Sequence, residues 1–527
     1  MRIGVDVGGT NTDAVLMNGE QVAAAAKTPT TADVSGGIAN AIRAVLAQVQ
    51  CAPGSLDAVM IGTTHFTNAF VERRGLTPIG VIRIGYPATT AVPPLYGWPD
   101  ELLSQVGRNG RIVPGGYEHD GTPVSPFDDQ AVAQAAREFR NAGLRSIAIS
   151  CVFSPINAEQ ERRAADVVRN EHPDAAVSLS SEFGRLGLLE RENAAAINAC
   201  LSDMAAHVVH SFGHALRDLQ IRAPFFISQN DGTLMTAAYA SRHPVMTFAS
   251  GPTNSMRGAA LLARAGDAIV IDIGGTTTDI GVLRKGFPRE SAMNAGIGGV
   301  RTNFRMPDVI SLGLGGGSLV VSGNDVVIGP RSVGYNIIRE ALVFGGTTLT
   351  STDIAVAAGL AEVGDRARVA RLDARLVERA LQSISGMIER GIERIKLSAL
   401  DMPAILVGGG SILVRGNLRG ASTILVPPHH DVANAVGAAI AQAGGEIDRY
   451  YSYDQLGRER ALDLARSAAI QSAIEAGAHP DSVQIVDVQE FPIAYVSGGA
   501  TRVRMKAVGD MRFPSSAHSQ QTESRSP

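Results

Sequence analysis

The stretch Ile3–Leu16, I-G-V-D-V-G-G-T-N-T-D-A-V-L, is written a second time as V-I-D-I-G-G-T-T-T-D-I-G-V-L at Val270–Leu283. Each copy runs from an apolar segment through an aspartate into Gly-Gly-Thr, a polar pair, a second aspartate and another apolar segment. Asn18-Gly19 follows the first copy as a hairpin signal, so its Gly-Gly-Thr turn joins strand to strand and not strand to helix. Glycines let the backbone approach an anion and aim successive N–H groups at it. The first aspartate, Asp6 or Asp272, stands at the mouth of the turn, where a bare carboxylate would repel phosphate. It fits there when a hard cation such as Mg²⁺ lies between carboxylate and phosphate, usually with water intervening. Two such hairpins facing each other make the two walls of a cleft for a nucleoside triphosphate. The plain alternative is a pair of ordinary glycine turns, and the repetition of D-x-G-G-T-x-T-D weighs against it.

Other phosphate-binding devices are absent. There is no G-x-x-x-x-G-K-[ST], no G-x-G-x-x-G between strand and helix with an acidic residue at ribose distance, and no protein-kinase motif set. A nucleotide cleft also needs backbone that packs against adenine and ribose. Ile405-Leu406-Val407-Gly408-Gly409-Gly410-Ser411, a strand opening onto a glycine turn, meets that need. Of the 527 residues 5% are aromatic and the formal charge is −4, which gives neither stacking platforms nor a polyanion footprint for nucleic acid. The three cysteines, Cys51, Cys151 and Cys200, are far apart and form no C-x-x-C. No apolar run approaches membrane-spanning length, and the first residues already read as a strand, leaving no room for a signal peptide ahead of it. These features predict a soluble cytoplasmic protein.

Along the chain, helices are expected near 35–48, 129–142, 159–170, 234–241, 373–397 and 431–443, with one long helix over 188–219 as a connector. Strands are expected at 58–61, 79–84, 146–152, 176–180 and 404–407, and at 225–228 as the start of a second half. Residues 86–130 read as an irregular insertion, and residues from 514 as a disordered tail.

The order of these motifs resembles the actin, Hsp70 and sugar-kinase superfamily. That resemblance implies an α/β fold of two ribonuclease-H-like domains with an ATP cleft, here over 1–187 and 188–451. A small α+β C-terminal extension would follow over 452–513. Asp6–Thr12 and Asp272–Thr278 match the two phosphate segments, Val407–Ser411 the adenosine segment, and Glu192–Ala196 and Ala433–Ala439 the two connecting helices. Within the superfamily the chain resembles the hydantoinase/oxoprolinase family, ATP-dependent A-type subunit, compact branch. The matching residues are G-V-D-V-G-G-T-N-T-D at 4–13, G-T-T-H-F-T-N-A at 62–69, E-R-R-G at 72–75, S-G-P at 250–252, D-I-G-G-T-T-T-D at 272–279 and G-G-G-S at 315–318. Leu312-Gly313-Leu314 stands where longer members tend to have I-G-A. The resemblance implies ATP and Mg²⁺ as cofactors and the opening of a cyclic amide such as a hydantoin, 5-oxoproline or another lactam. It also implies a B-type or other partner subunit. A small-molecule kinase and an ATP-gated activator on the same fold are the rival readings.

Asp6 and Asp272 are therefore the expected catalytic and metal-facing residues. Gly8, Gly9, Thr10, Asn11, Thr12, Gly274, Gly275, Thr276, Thr277, Gly408, Gly409, Gly410 and Ser411 are the expected nucleotide contacts. Asp13 and Asp279 read as turn-stabilising. Thr63, Thr64, His65 and Asn68 crowd a strand end in the way a substrate pocket would, although Thr63 or Thr64 could equally cap a helix. Arg73-Arg74 reads as a solvated pair. Asn230-Asp231-Gly232 and Ser250–Asn254 read as strand-end turns, with a role in the cleft as open as plain turn chemistry. His429-His430-Asp431 has no third ligand at a recognisable spacing, so Asp431 is expected to cap the following helix.

Overall fold

The computed structural model describes residues 1–8, 11–31, 34–49, 51–183, 187–291, 295–303, 306–323, 325–493 and 499–512. The expected tail from 514 lies outside them. Two sheets dominate, and they repeat one plan. In the first, β1 (Arg2–Val7) runs antiparallel to β2 (Asn11–Asn18), which runs antiparallel to β3 (Gln21–Pro29). β4 (Ala58–Thr63) lies parallel on the other side of β1, and β5 (Phe225–Ser228) lies parallel beyond it. In the second, β6 (Ala268–Ile273), β7 (Thr278–Arg284) and β8 (Val309–Leu312) repeat the antiparallel meander. β9 (Met402–Val407) and β10 (Ala421–Leu425) repeat the parallel pair. The orders 3-2-1-4-5 and 8-7-6-9-10 are thus equivalent, and the duplicated motif is the turn between the first two strands of each sheet. Helix α1 (Val34–Val49) crosses from β3 to β4, as α3 (Ala374–Ile395) crosses from β8 to β9.

The strand at 225–228 does not open the second half. It pairs with β4 as the fifth strand of the first sheet. Leu234–Thr236, expected as helix, continues that sheet antiparallel to β5, because the Gly232 turn (φ +79°) reverses the chain just before it. The sheet is then extended by Ala443–Ser452, Ala500–Gly509 and Gln484–Pro492 to nine described strands, with the helix Arg458–Glu475 packed against the extension. The C-terminal segment thus enlarges the first sheet.

Between β4 and β5 lies a third, all-parallel sheet with the order Asn109–Pro114, Ile79–Tyr86, Ser146–Cys151, Ala176–Leu179. The stretch 86–130 is therefore not wholly irregular: it holds the helix Asp100–Val106 and the first strand of this sheet. Arg83, fully buried, explains how its prolines and glycines are held. Its guanidinium is paired with the fully buried Glu192 (Nε–Oε2 2.7 Å) and donates to the Val92 and Pro93 carbonyls. Removing one partner would leave a buried charge unpaired, which costs about 3–5 kcal/mol. The expected helix over 188–219 is two helices, Leu188–Cys200 and Ser202–Asp218. At the break the Ser202 hydroxyl lies 3.0 Å from the Ala199 carbonyl it donates to and 2.7 Å from the Ser146 hydroxyl.

Two helices close the molecule. α2 (Ser250–Ala263) follows the first sheet's β5 region but packs Met256 and Ala259 on the second sheet, against Val270, Ile405 and Val407. α4 (Ala433–Ile440) follows β10 of the second sheet but packs Val436 and Ala439 on the first, against Val15 and Met17. Where they cross, only glycine fits. A Cβ on Gly258 would lie 1.8 Å from the Ala433 carbonyl oxygen, and one on Gly437 1.9 Å from that of Asn254. Gly4 of β1 is needed for the same reason, since its Cβ would lie 2.1 Å from the Ala435 carbonyl oxygen. Ser250–Asn254, expected as a strand-end turn, is the first turn of α2.

Candidate functional site

The two hairpins close with the same bond: Gly8 N–H donates to the Asn11 carbonyl (3.0 Å), and Gly274 N–H to the Thr277 carbonyl (2.9 Å). In each, the two aspartates face one another across the first strand pair, Asp6 with Asp13 and Asp272 with Asp279. The hairpins also face each other. Burial pushes the Asp6 carboxyl up to about 7, with the Asp13 and Asp272 charges adding to the rise and the Asn434 hydrogen bond and Lys27 opposing it. Burial raises Asp272 too, against the Ser255 hydrogen bond and Lys27. Asp279 is pushed to about 6 by burial, a rise that its Ser311 bond opposes and the Asp272 charge reinforces. Carboxylates held together in this way have affinity for positive charge that protons or a divalent cation can satisfy.

The carboxylates are held by side chains that the motif itself does not contain. Asn434 Nδ2 donates to both Asp6 Oδ2 (2.9 Å) and Asp13 Oδ2 (3.0 Å), and Lys27 pairs with Asp13 Oδ1. Asp6 Oδ1 is buried and has no partner among the described residues. It points toward Gly62, whose Cβ, if present, would lie 2.5 Å from it. Among the described residues no three His, Cys, Asp or Glu side chains converge as a complete metal cage. A cation here would take water and phosphate oxygens for its remaining ligands, as Mg²⁺ characteristically does.

The second hairpin is anchored from behind. Gly316 N–H donates to the Gly274 carbonyl (3.0 Å), and Gly317 N–H to the Gly275 carbonyl (2.7 Å). A Cβ on Gly315 would lie 2.5 Å from Thr276 N. Gly-Gly-Gly-Ser at 315–318 thus fixes the carbonyls, while the N–H groups of Gly275, Thr276 and Thr277 have no acceptor among the described residues. That orphaned donor set suits a phosphate. In the first hairpin Gly9 and Thr10 lie outside the described residues, and Asn11 begins β2. Thr12, expected among the phosphate contacts, is fully buried with its hydroxyl 3.3 Å from that of Thr30; strand alternation turns it to the back of the hairpin. Its counterpart Thr278 is likewise buried and donates to the Leu314 carbonyl (2.7 Å).

Gly408–Ser411 leaves β9 beside the second hairpin. Gly408 has φ +83°, and a Cβ there would lie 2.4 Å from Asp272 Oδ1; a Cβ on Gly410 would lie 2.5 Å from Ile273 Cγ2. Around a Cβ on Gly409 nothing lies within 4 Å. Two glycines therefore serve contact with the hairpin and the middle one borders open space. The Ser411 hydroxyl caps the turn, donating to the Gly408 carbonyl (2.7 Å). By the register of the two sheets, the equivalent exit in the first half is Gly62-Thr63-Thr64-His65. The Thr63 hydroxyl accepts the His65 N–H (3.1 Å) where the helix His65–Glu72 begins; the cap position itself is Thr64, and no side chain caps it. Asn68 donates to the Thr64 hydroxyl (3.3 Å), and burial lowers the His65 pKa. This half-buried polar edge abuts the first turn of α2, where Ser250 donates to the Thr63 carbonyl (3.3 Å).

Arg73 and Arg74 pair with Glu101 and Glu72 at the surface, as a solvated pair would. Asp231 holds the Thr233 N–H and Lys506, which ties the turn to the C-terminal extension. Asp431 does not cap α4. Residues 430–432 form a separate 3₁₀ turn, the cap position falls to Val432 and no side chain caps it. Sequence reasoning missed Asn434 and Lys27. Lys27 lies opposite Asp13 because a bulge at Leu16/Met17 shifts the hairpin register by one residue. Surface depressions lined by Asp129 and Arg137, and by Arg43 and His210, lie away from the carboxylates and gather no orphaned polar atoms. No described helix is long and apolar enough to cross a membrane.

A duplicated 3-2-1-4-5 sheet with facing phosphate-type hairpins defines a two-domain cleft protein of the ribonuclease-H-like ATPase architecture. Residues 2–172 match the hydantoinase/oxoprolinase N-terminal region and residues 191–402 match hydantoinase/oxoprolinase, and the chain belongs to this family. It is similar to caprolactamase subunit alpha of Pseudomonas jessenii, at 30% identity over 68% of this chain and 54% of that protein. It is also similar to the acetophenone carboxylase gamma subunit of Aromatoleum aromaticum, at 27% identity over 68% of this chain and 53% of that one. The aligned part thus spans about half the length of these curated relatives. The solved ATP-dependent caprolactamase from Pseudomonas jessenii shares the fold, with a TM-score of 0.77 over 97% of this chain and 88% of that one at 20% identity.

Proposed function

We propose that this chain is the ATP-using subunit of a cyclic-amide-opening hydrolase. The observation that carries the reading is the pairing of Asp6 and Asp272 across a duplicated hairpin, with Asp6 Oδ1 buried and unpartnered among the described residues and the Gly275–Thr277 N–H groups unanswered. Asp6 and Asp272 would hold Mg²⁺ through water. When bound, the cation would neutralise charge on the transferring phosphoryl group. The N–H groups of Gly275–Thr277 orient the phosphates, and Gly409 borders the space for adenosine. The polar edge of Thr64, His65 and Asn68 borders the substrate, with Thr63 holding that edge in place.

An amide carbonyl is a poor electrophile. Its oxygen would form a bond to the γ-phosphorus as the bond to ADP breaks, leaving an O-phosphorylated imidate. Water added to that carbon, followed by C–N cleavage with a proton passed to nitrogen, yields the ring-opened amine and an acyl phosphate. A second water releases phosphate. No group for delivering water is recognisable in the sequence, and both relatives are named as subunits, so a partner protein would supply those steps. The acetophenone carboxylase relative supports a second reading in which a ketone gives up an α-proton to a base, its enolate oxygen takes the γ-phosphoryl group as the bond to ADP breaks, and the enol phosphate is the species carboxylated.

Isothermal titration with ATP, with and without Mg²⁺, tests the nucleotide assignment, and absence of heat in both refutes it. A screen for ADP release stimulated by lactams and hydantoins, with a ketone-plus-bicarbonate arm, tests the reaction class. A stable phosphorylated product would identify a small-molecule kinase instead.

A further inference from the structure

The sheets of the two halves carry equivalent rows of side chains. Directly paired residues of neighbouring strands share a face. In the first sheet Asp6 of β1, Asp13 of β2 and Lys27 of β3 therefore stand side by side. In the second the row is Asp272 of β6, Asp279 of β7 and Ser311 of β8. The rows differ in the third place. The Ser311 hydroxyl donates to Asp279, whereas the Lys27 ammonium pairs with Asp13, whose other oxygen already accepts from Asn434 (3.0 Å). A hydroxyl is enough for the second aspartate of such a row, so the charge on Lys27 goes beyond that task.

Lys27 also stands at the cleft end of β3. Two residues on, Pro29 pairs with Asn11, and the Thr30 hydroxyl donates to the Gly8 carbonyl of the hairpin turn (2.8 Å). The Lys27 side chain is 32% exposed, against 5% for Asp13, so the pair is open to solvent on the lysine's side. Among the described residues Asp13 is the one partner of its three N–H donors, and no other cationic side chain pairs with Asp6, Asp13, Asp272 or Asp279. Its charge is felt in both halves: burial raises the Asp6 and Asp272 carboxyls, and Lys27 opposes the rise in each. A polyphosphate brings further negative charge to a cleft already lined by carboxylates, which calls for more positive charge than one divalent cation supplies.

We propose that Lys27 is a phosphate-binding residue of the nucleotide site: its ammonium, moored on Asp13, gives its remaining N–H groups to an oxygen of the polyphosphate beyond the α-phosphate. A lysine ammonium is a compact point charge with rotatable donors, which suits a tetrahedral phosphate. The inference rests on the nucleotide reading above and adds to it a cation that neither hairpin motif contains. Asp13 then holds the lysine in place, and Ser311 marks the half that has no such charge.

The test is isothermal titration of the whole chain with AMP and with ADP, in Mg²⁺ and again in chelator. The variants are Lys27→Met, Lys27→Arg, Asp13→Asn, and Lys27→Met combined with Asp13→Asn. Wild type should bind ADP more tightly than AMP. In Lys27→Met the affinity for ADP should fall about tenfold while that for AMP stays within about twofold of wild type, and Lys27→Arg should keep most of the ADP affinity. Lys27→Met leaves the buried Asp13 charge unpaired; the combined variant removes that charge too, so the test stands even if the single variant fails to fold. A lysine that only neutralised Asp13 would be dispensable once Asp13 is replaced, whereas a phosphate ligand would not. The combined variant should therefore bind ADP about tenfold more weakly than Asp13→Asn does. Equal ADP affinity in those two, equal losses for AMP and ADP, or a wild type with no preference for ADP overturns the inference while leaving the nucleotide reading in place. Wild type that gives no heat with either nucleotide in either condition removes both.

Discussion

Asp6→Asn should stabilise the metal-free protein while disabling it. The folded carboxyl is pushed from 3.8 to about 7, chiefly by burial. The folded state therefore holds a proton over a window in which the unfolded state has released it. Stability falls as pH rises from about 4 to about 7 and stays low above that, because both states are then ionised. The shift of 7 − 3.8, about 3 pKa units, corresponds to about 4 kcal/mol at 1.36 kcal/mol per unit. Relaxation and water entry reduce this, so a gain of about 2–4 kcal/mol is expected for the variant at pH 8. Asn keeps the shape and can still accept the Asn434 donor through its Oδ1. Urea unfolding in chelator, followed from pH 4 to pH 8, measures the effect. The variant and wild type should converge toward pH 4 and separate toward pH 8. ATP turnover in Mg²⁺ should fall by about 10²–10³-fold, the scale for loss of one preorganised electrostatic contact. A stability difference that does not change with pH, or a variant less stable than wild type at pH 8, would refute the argument from burial.

Three further outcomes follow from the geometry. Gly258→Ala and Gly437→Ala drive a Cβ to within 1.8 and 1.9 Å of carbonyl oxygens, so each should lower the urea midpoint, by at least the 1–3 kcal/mol typical of overpacking. Gly408→Ala, at φ +83° and against Asp272, should lose both stability and nucleotide affinity, whereas Gly409→Ala, in open space, should keep its melting temperature and lose about tenfold in ATP affinity by titration. On a substrate found in the screen, ring-opened product per ADP formed should be well below one for this chain alone; a sustained ratio near one, from a preparation shown by mass spectrometry to contain no other protein, would remove the need for a partner.

Much of this was legible without coordinates because it is local. Asp-x-Gly-Gly-Thr between two apolar runs dictates a strand, a glycine turn and a returning strand, and in both copies the two strands pair at the expected residues. Gly408–Gly410 after Ile405–Val407 belongs to the same class of signal, as does the α+β character expected after residue 452. What stayed hidden depends on pairing between distant segments, which leaves no local period. β5 reads like any short apolar strand, and only its place beside β4 shows that the whole five-strand sheet is duplicated and not the hairpin alone. The Gly315–Ser318 turn carries glycines because Gly275 and Thr276 lie against it, a fact of the fold and not of its neighbours in sequence. A single bulge brings Lys27 and not Ala26 opposite Asp13. The Ala/Gly composition of Ala433–Ile440 announces close packing, but not against which half. The exchange of α2 and α4 was decided by the two sheets burying their open faces, and it sets Asn434 on the Asp6 and Asp13 carboxylates, to which nothing around it in sequence points.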